Sequence, residues 1–360
     1  MILLSCAGVF AQENMRMLVA DQKGDLSRFK LHLSNHNFFK NNEYFNDYVY
    51  SYTLLGAHLK PMLIYDISKK LSVSGGLYLQ KYAGTDVLNT LKPLYRIEYK
   101  PVENLSIIMG AIDGGWKHRL VEQIYRFDRH LIDNDEEGVQ FVFDNGKAFG
   151  DVWINWDKAA FPRDLHQEQL QIGISGEFSL FTSGFSKFNL VGQMLWAHNG
   201  GQDLAVTYRV RSFGALAGGL RFSRMFALRQ ASGCKFESIF IRNSDLSPEK
   251  KLPYRNGYGI HTQLEAYYSY FSLSVAYWYD HQYFSALGEP LYQSVSNKWG
   301  SVFAPERRVF TGKFAFIKEV TPGLKVAVHY GAYWGRDIKS FDYFYGMHLI
   351  LNYNVFFKKS

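Results

Sequence analysis

Apolar and polar residues alternate along almost the whole chain. At Leu71, Val73, Leu77 and Leu79 the apolar positions recur at every second step, with Ser72, Ser74, Gly76 and Gln80 between or beside them. The end of the chain does the same: Met347, Leu349, Leu351, Tyr353, Val355 and Phe357 run against His348, Asn352 and Asn354. A period of two is a strand with one face in an apolar medium and the other in a polar one. A soluble sandwich turns the polar face to bulk water. A transmembrane barrel turns the apolar face to lipid and lines a lumen with the polar face.

Composition separates these two. Aromatics make up 17% of the 360 residues, with 25 Tyr and 29 Phe, which suits a barrel girdled by aromatics at both membrane interfaces. The mean hydropathy of −0.20 is too low for a helical membrane protein, but a barrel hides its hydrophobicity in alternation. Beyond the N-terminus no apolar run is long enough for a transmembrane helix. The net charge of +7 comes from basic residues scattered among acids, so nucleic-acid binding is not expected.

The alternation runs without a linker from residue 28 to 357, which predicts one barrel domain. Before it, Ile2, Leu3 and Leu4 begin a short apolar run, and Val9-Phe10-Ala11 before Gln12 fits a small-residue cleavage site. Residues 1–11 are thus expected to be a signal peptide, truncated at its start because the positive n-region is missing, and 12–27 a short periplasmic segment. The rival reading takes Leu3-Leu4-Ser5-Cys6 as a lipobox with a lipidated Cys6. So short a segment leaves no room for a separate plug domain, which disfavours an energy-coupled transporter.

Alternation and turn signals together predict about sixteen strands, with 14 or 18 as alternatives. The first is placed at 28–38, the last at 342–357, and a long one at 204–223. Numbered in order, the even connections are mostly short, as at Ile67–Lys70 and Glu319–Gly323. The others include long ones: Gly114–Glu137, Ser244–Asn256 and Tyr283–Glu306. Short turns at one end and long loops at the other are the habit of outer-membrane barrels. The terminal strand Tyr353-Asn354-Val355-Phe356-Phe357 resembles the C-terminal signature of Gram-negative outer-membrane β-barrels of the porin-like kind, except that Lys358-Lys359-Ser360 follow it. The resemblance is architectural. It implies an all-β antiparallel barrel in the outer membrane of a Gram-negative bacterium, with lipid around it, and it transfers no catalytic residues.

Assigning the apolar parity outward turns the other parity inward. A lipid-facing Arg or Lys at mid-bilayer costs about 2–4 kcal/mol, so charges should share the inward parity. Arg96, Lys100, Arg209, Arg211 and Arg221 are then expected to form a basic lumen wall that favours anions. In the loop 114–137, Leu120, Ile124, Phe127 and Leu131 recur at helical spacing. The third external loop of general porins folds inward and narrows the channel, and this loop has the same ordinal position. Two arrangements remain open: an external amphipathic cap, or an inward constriction. The constriction would carry Lys117, Arg119, Arg126, Arg129, Asp133, Asp135, Glu136 and Glu137, with the four acids facing Arg96, Arg209 and Arg211.

The acidic run 133–137 lacks the ligand and Gly spacing of a calcium loop. His118 and His130 have no partners at zinc spacing. No phosphate loop or Gly-x-Ser-x-Gly elbow occurs. A barrel phospholipase needs a Ser/His pair on its lipid-facing wall, and His329 and His348 have inward parity. The Trp residues fall mostly near strand ends and read as interface anchors. The expectation is a non-enzymatic pore without cofactor, passing small hydrophilic and possibly anionic solutes by diffusion, with a homo-oligomer compatible. The alternative is a closed barrel acting as scaffold or adhesin through Gly114–Glu137 and Tyr283–Glu306. A barrel enzyme acting on lipid or glycan ranks third.

Overall fold

A computed structural model describes residues 29–133, 135–201, 209–226 and 231–357. The expected signal peptide, Cys6, the 12–27 segment and Lys358–Ser360 lie outside these residues. The strands are β1 (Phe29–Glu43), β2 (Tyr52–Asp66), β3 (Leu71–Tyr82), β4 (Thr90–Val102), β5 (Leu105–Ala111), β6 (Glu137–Asp144), β7 (Ala148–Lys158) and β8 (Glu168–Ser183). They continue as β9 (Ser186–Gly200), β10 (Arg211–Met225), β11 (Ser232–Asp245), β12 (Asn256–Tyr268), β13 (Phe271–His281), β14 (Glu306–Thr321), β15 (Leu324–Gly335) and β16 (Ser340–Phe356). Each pairs with its sequence neighbours, and β1 pairs with β16, so the sheet closes as an antiparallel barrel of sixteen strands without free edges. Two short connections turn on glycines with positive φ, Gly146 at 81° and Gly323 at 82°, a conformation only glycine adopts without strain.

The outer wall is apolar between two aromatic belts. Phe29 meets Tyr65 and Phe357 at the short-turn end. Phe39 meets Tyr345, and Phe310 stacks on Trp334, at the long-loop end. Inside, the lumen is occupied. Residues of the β1–β2, β5–β6 and β13–β14 loops, including Tyr44, Tyr48, Leu120, Ile124, Tyr283, Leu291 and Tyr292, pack with wall residues Ile108, Trp153, Ile239 and Trp278 into one apolar cluster. Alternation predicts the wall. It is a property of strands and says nothing of whether the loops between them return into the barrel.

Two expectations change here. The strand placed at 204–223 begins at Arg211, and residues 202–208 lie outside the described set. Trp116, Trp153 and Trp278 are buried inside rather than anchored at an interface.

Candidate functional site

The β5–β6 loop enters the lumen and is held there by hydrogen bonds. Its Gly115–His118 stretch is a single 3-10 turn, and Arg129–Ile132 is one helical turn. Wall residue Gln193 accepts from the Val121 amide at 2.9 Å and donates to the Arg119 carbonyl at 2.8 Å. Arg126 donates its amide to Leu287 of the β13–β14 loop at 2.9 Å, and Tyr283 donates its hydroxyl to the Gln123 carbonyl at 2.9 Å. Asp128 takes the Lys40 ammonium and the Tyr52 hydroxyl, and Glu122 takes the Lys313 ammonium. Both long loops of the adhesin alternative are therefore engaged in the lumen.

His118 is the central anchor. Its Nδ1 meets Asp151 and its Nε2 meets Glu136, each at 2.8 Å, while its ring lies flat on Trp153 at 3.6 Å. Burial disfavours the charged ring. The Glu136 carboxylate and the hydrogen bonds to both acids outweigh burial and push His118 up to about 9. Burial likewise disfavours charge on Glu136, but His118, the Gly115 amide and the Tyr125 hydroxyl hold it down at about 2. Trp153 finds room because position 173 is glycine: a Cβ there would lie 2.0 Å from the indole. A doubly paired, protonated imidazole cannot accept a proton, so His118 holds the loop and does not act as a base.

The basic residues expected to form one wall are dispersed, and four of the five pair with separate carboxylates. Arg96 pairs with Glu98 at 3.1 Å and Asp113 at 3.2 Å, and Lys100 with Glu98 at 3.1 Å. Arg221 is buried between Glu177 and Glu237. Arg211 borders a cavity of about 500 Å³ at the long-loop end. Arg209 precedes β10, is exposed, and pairs with Glu249 at 3.1 Å outside the lumen. The loop acids do not face these arginines. Asp133 pairs with Arg129, Asp135 with Lys60, Glu136 with His118 and Glu137 with Lys92. Lys117 pairs with Asp113 and Arg119 with Asp144. A buried carboxylate takes the nearest cation, and each loop acid has one closer than any strand arginine of the expected wall. A second polar cavity of about 350 Å³ lies towards the short-turn end, bordered by Lys30, His32 and Arg96. Arg129, Asp133 and Asp135 border both cavities.

The outer wall carries a different constellation. On β7 to β10 the register places Trp156, Leu170, His198 and Ser212 in one row. Inward positions Asp151, Gln171, Gln193 and Ala215 are buried, so these even-numbered residues face outward. The row lies at the long-loop edge of the apolar wall. Ser212 sits directly opposite His198, where facing Cβ atoms are about 4.5–5.5 Å apart. The Ser212 hydroxyl oxygen accepts from the Trp196 indole at 2.7 Å. His198 has a buried Nδ1 that no hydrogen bond from a described residue reaches. Glu168 pairs with Gly200, one outward step beyond His198, and accepts from the Trp156 indole at 2.8 Å. A Cβ at Gly200 would fall 2.5 Å from His198 Nε2, so glycine leaves space for the imidazole. A hydroxyl, an imidazole and a carboxylate on adjacent strands are the components of nucleophilic acyl transfer. Sequence reasoning missed them. Parity turns His198 and Ser212 outward, but their pairing depends on a register that a strand begun at 204 conceals.

The family model for lipid A 3'-O-deacylase-type proteins matches residues 20–360. No curated protein sequence is significantly similar to the chain. Among solved structures, a loop-deletion mutant of OmpT, an outer membrane protein of Vibrio cholerae, superposes with a TM-score of 0.51 at 11% identity, covering 91% of this chain and 100% of that one. OmpT itself, expressed in the outer membrane, gives 0.50 at 9% identity, covering 93% and 100%. OprD of Pseudomonas aeruginosa gives 0.47 at 7%, covering 97% of each chain. The fold is that of outer-membrane β-barrels. The family match overturns the expectation of a protein without enzymatic activity, since the family is named for a deacylation.

Proposed function

The chain belongs to the lipid A 3'-O-deacylase-type family, and from that membership we propose that it hydrolyses an ester-linked acyl chain of a glycolipid in the outer leaflet. The observation that carries this reading is the Ser212–His198 pair, outward in parity at the height of the long-loop aromatic belt, with Ser212 itself buried against the Leu246–Ser247 segment. There the acyl esters of an outer-leaflet glycolipid meet the barrel, just beneath the headgroups. The filled lumen supports the same reading by opposing free diffusion of solutes.

In this mechanism the Ser212 oxygen attacks the ester carbonyl while His198 takes the hydroxyl proton. The C–O bond to the sugar breaks and His198 returns the proton to the departing sugar hydroxyl. Water then attacks the acyl-serine, again deprotonated by His198, and the fatty acid leaves. To Glu168, opposite Gly200 on the neighbouring strand, this mechanism assigns the role of orienting the imidazole and stabilising its charged form. The Trp196 indole N–H, beside the nucleophile, is a donor for the oxygen that becomes negative.

The test uses purified protein in vesicles containing lipid A, with released fatty acid read by mass spectrometry. Release by the parent, lost in Ser212→Ala and reduced about 10²–10⁴-fold in His198→Ala, is the expected result. A folded, inserted parent that releases nothing, or a Ser212→Ala variant at full rate, would overturn it.

One observation favours a second reading, a thin solute path. The two polar cavities meet at Arg129, Asp133 and Asp135. Passage would then be narrow and gated by the Arg129–Asp133 ion pair. Steady single-channel openings in a planar bilayer that grow in Arg129→Ala would support it, and silence in both proteins would dismiss it.

A further inference from the structure

The aromatic belt at the long-loop end carries an arginine on its outer surface. β11 turns even-numbered residues outward, since Glu237, Ile239, Ile241 and Asn243 are buried inside. Arg242 is thus one outward step beyond Phe240, and both are exposed. Arg242 faces Leu216 on β10 and Tyr258 on β12. The Tyr258 ring stacks on Phe240 at 6.0 Å and meets His281, the last residue of β13, at 5.6 Å. These rings place Arg242 in the belt, where the apolar wall gives way to the headgroup layer.

The charge around it is one-sided. Ser244 and Asn256, the next outward pair towards the loop, hydrogen-bond to each other at 2.8 Å. Beyond them the β11–β12 loop exposes Lys250, Lys251 and Arg255. The single acid of that loop, Glu249, pairs with Arg209 at 3.1 Å. Among the described residues none forms an ion pair or hydrogen bond with the Arg242 guanidinium. Arg308, also outward at the long-loop end, differs in having Glu306 at 3.3 Å. An arginine beside lipid lays its stem on the apolar wall and turns its charged head to the polar layer, where it needs an anion.

We propose that Arg242, backed by the cations of the β11–β12 loop, binds a phosphate group on an outer-leaflet glycolipid. Charge complementarity selects the anion, and the planar guanidinium takes two phosphate oxygens through parallel N–H···O bonds. The wall beside it selects the source of that phosphate. Leu216, Phe240 and Ile260 are exposed and seat acyl tails, which a free ion does not have. Ser212 lies further along β10 towards the loops than Leu216, so this site is separate from the proposed hydrolytic row and does not rest on it.

The experiment titrates the full chain in detergent with lipid A, and with lipid A stripped of its phosphates, and counts bound lipid in every acylation state by native mass spectrometry. The expected result is binding of the phosphorylated lipid that weakens about 10- to 100-fold in Arg242→Gln, is largely kept in Arg242→Lys, and is unchanged in Arg308→Gln. Binding of the stripped lipid should be weaker in the parent and indifferent to Arg242→Gln, which also reports that the variant is folded. Equal binding of the two lipids, or undiminished binding of the phosphorylated one in Arg242→Gln, would overturn the proposal. Displacement of the lipid by inorganic phosphate alone would make this a free-anion site and overturn it as well.

Discussion

Two imidazoles in this barrel lie in opposite surroundings. His118 is enclosed by Asp151, Glu136 and Trp153, and its charge is part of the fold. Its folded pKa of about 9 exceeds the ordinary 6.5. The stabilisation it lends the inward loop is therefore fully present below about pH 6.5 and is lost as pH rises through about 9. Glu136, held at about 2, acts in the other direction: its contribution is present above its ordinary 4.5 and is lost as pH falls towards 2. Hydrogen-exchange protection of residues 112–136, measured relative to base-catalysed intrinsic exchange, should fall as pH rises through about 9, and this pH dependence should be absent in His118→Ala. That variant leaves Glu136 and Asp151 buried without their cation, at a cost of about 3–5 kcal/mol, read from the unfolding midpoint. Gly173→Ala should destabilise the same anchor by displacing Trp153, and leave the Ser212 row unaffected. His198 stands in the outward row, where no hydrogen bond from a described residue reaches its Nδ1, and the proposed hydrolysis uses it as the base.

At the scale of elements, the β5–β6 loop fills the lumen together with the β1–β2 and β13–β14 loops. Its Leu120, Ile124 and Leu131 are spaced as in a helix, yet only short turns form, at Gly115–His118 and Arg129–Ile132. The apolar side chains instead meet partners from several directions, so no single face is needed. Helical spacing in the sequence therefore identified residues to be buried while misstating the local backbone. Excising residues 116–135 should turn a protein of little or no conductance into a wide pore in planar bilayers. Unchanged conductance would show that the β1–β2 and β13–β14 loops close the lumen alone.

For the whole molecule, closure of β1 on β16 fixes a direction. Both described ends of the chain lie at the short-turn end, and the loops that fill the lumen enter from the other. A cysteine placed at Lys250, in the β11–β12 loop, should react with an impermeant reagent on intact cells, and one at Asn145 should react only after the outer membrane is breached. The reverse pattern would place Ser212 and His198 at the inner leaflet and remove them from outer-leaflet lipid.

Much of this architecture was already legible in the residues. Alternation is local and repeats in every strand, so strand number, the lipid-facing parity and the sorting of short and long connections follow from the chain alone. Inward charges such as Asp151, Glu237 and Arg221 follow by the same parity. What the tertiary structure decided is which residues meet. Arg96 and Arg209 take Asp113 and Glu249 from loops, while Arg221 meets Glu177 and Glu237 of β8 and β11, and the Ser212–His198 row likewise depends on a register between strands. A one-residue error in that register would turn either side chain to the other face. Period and parity are properties of a segment, whereas ion pairs and opposed side chains are properties of a closed sheet.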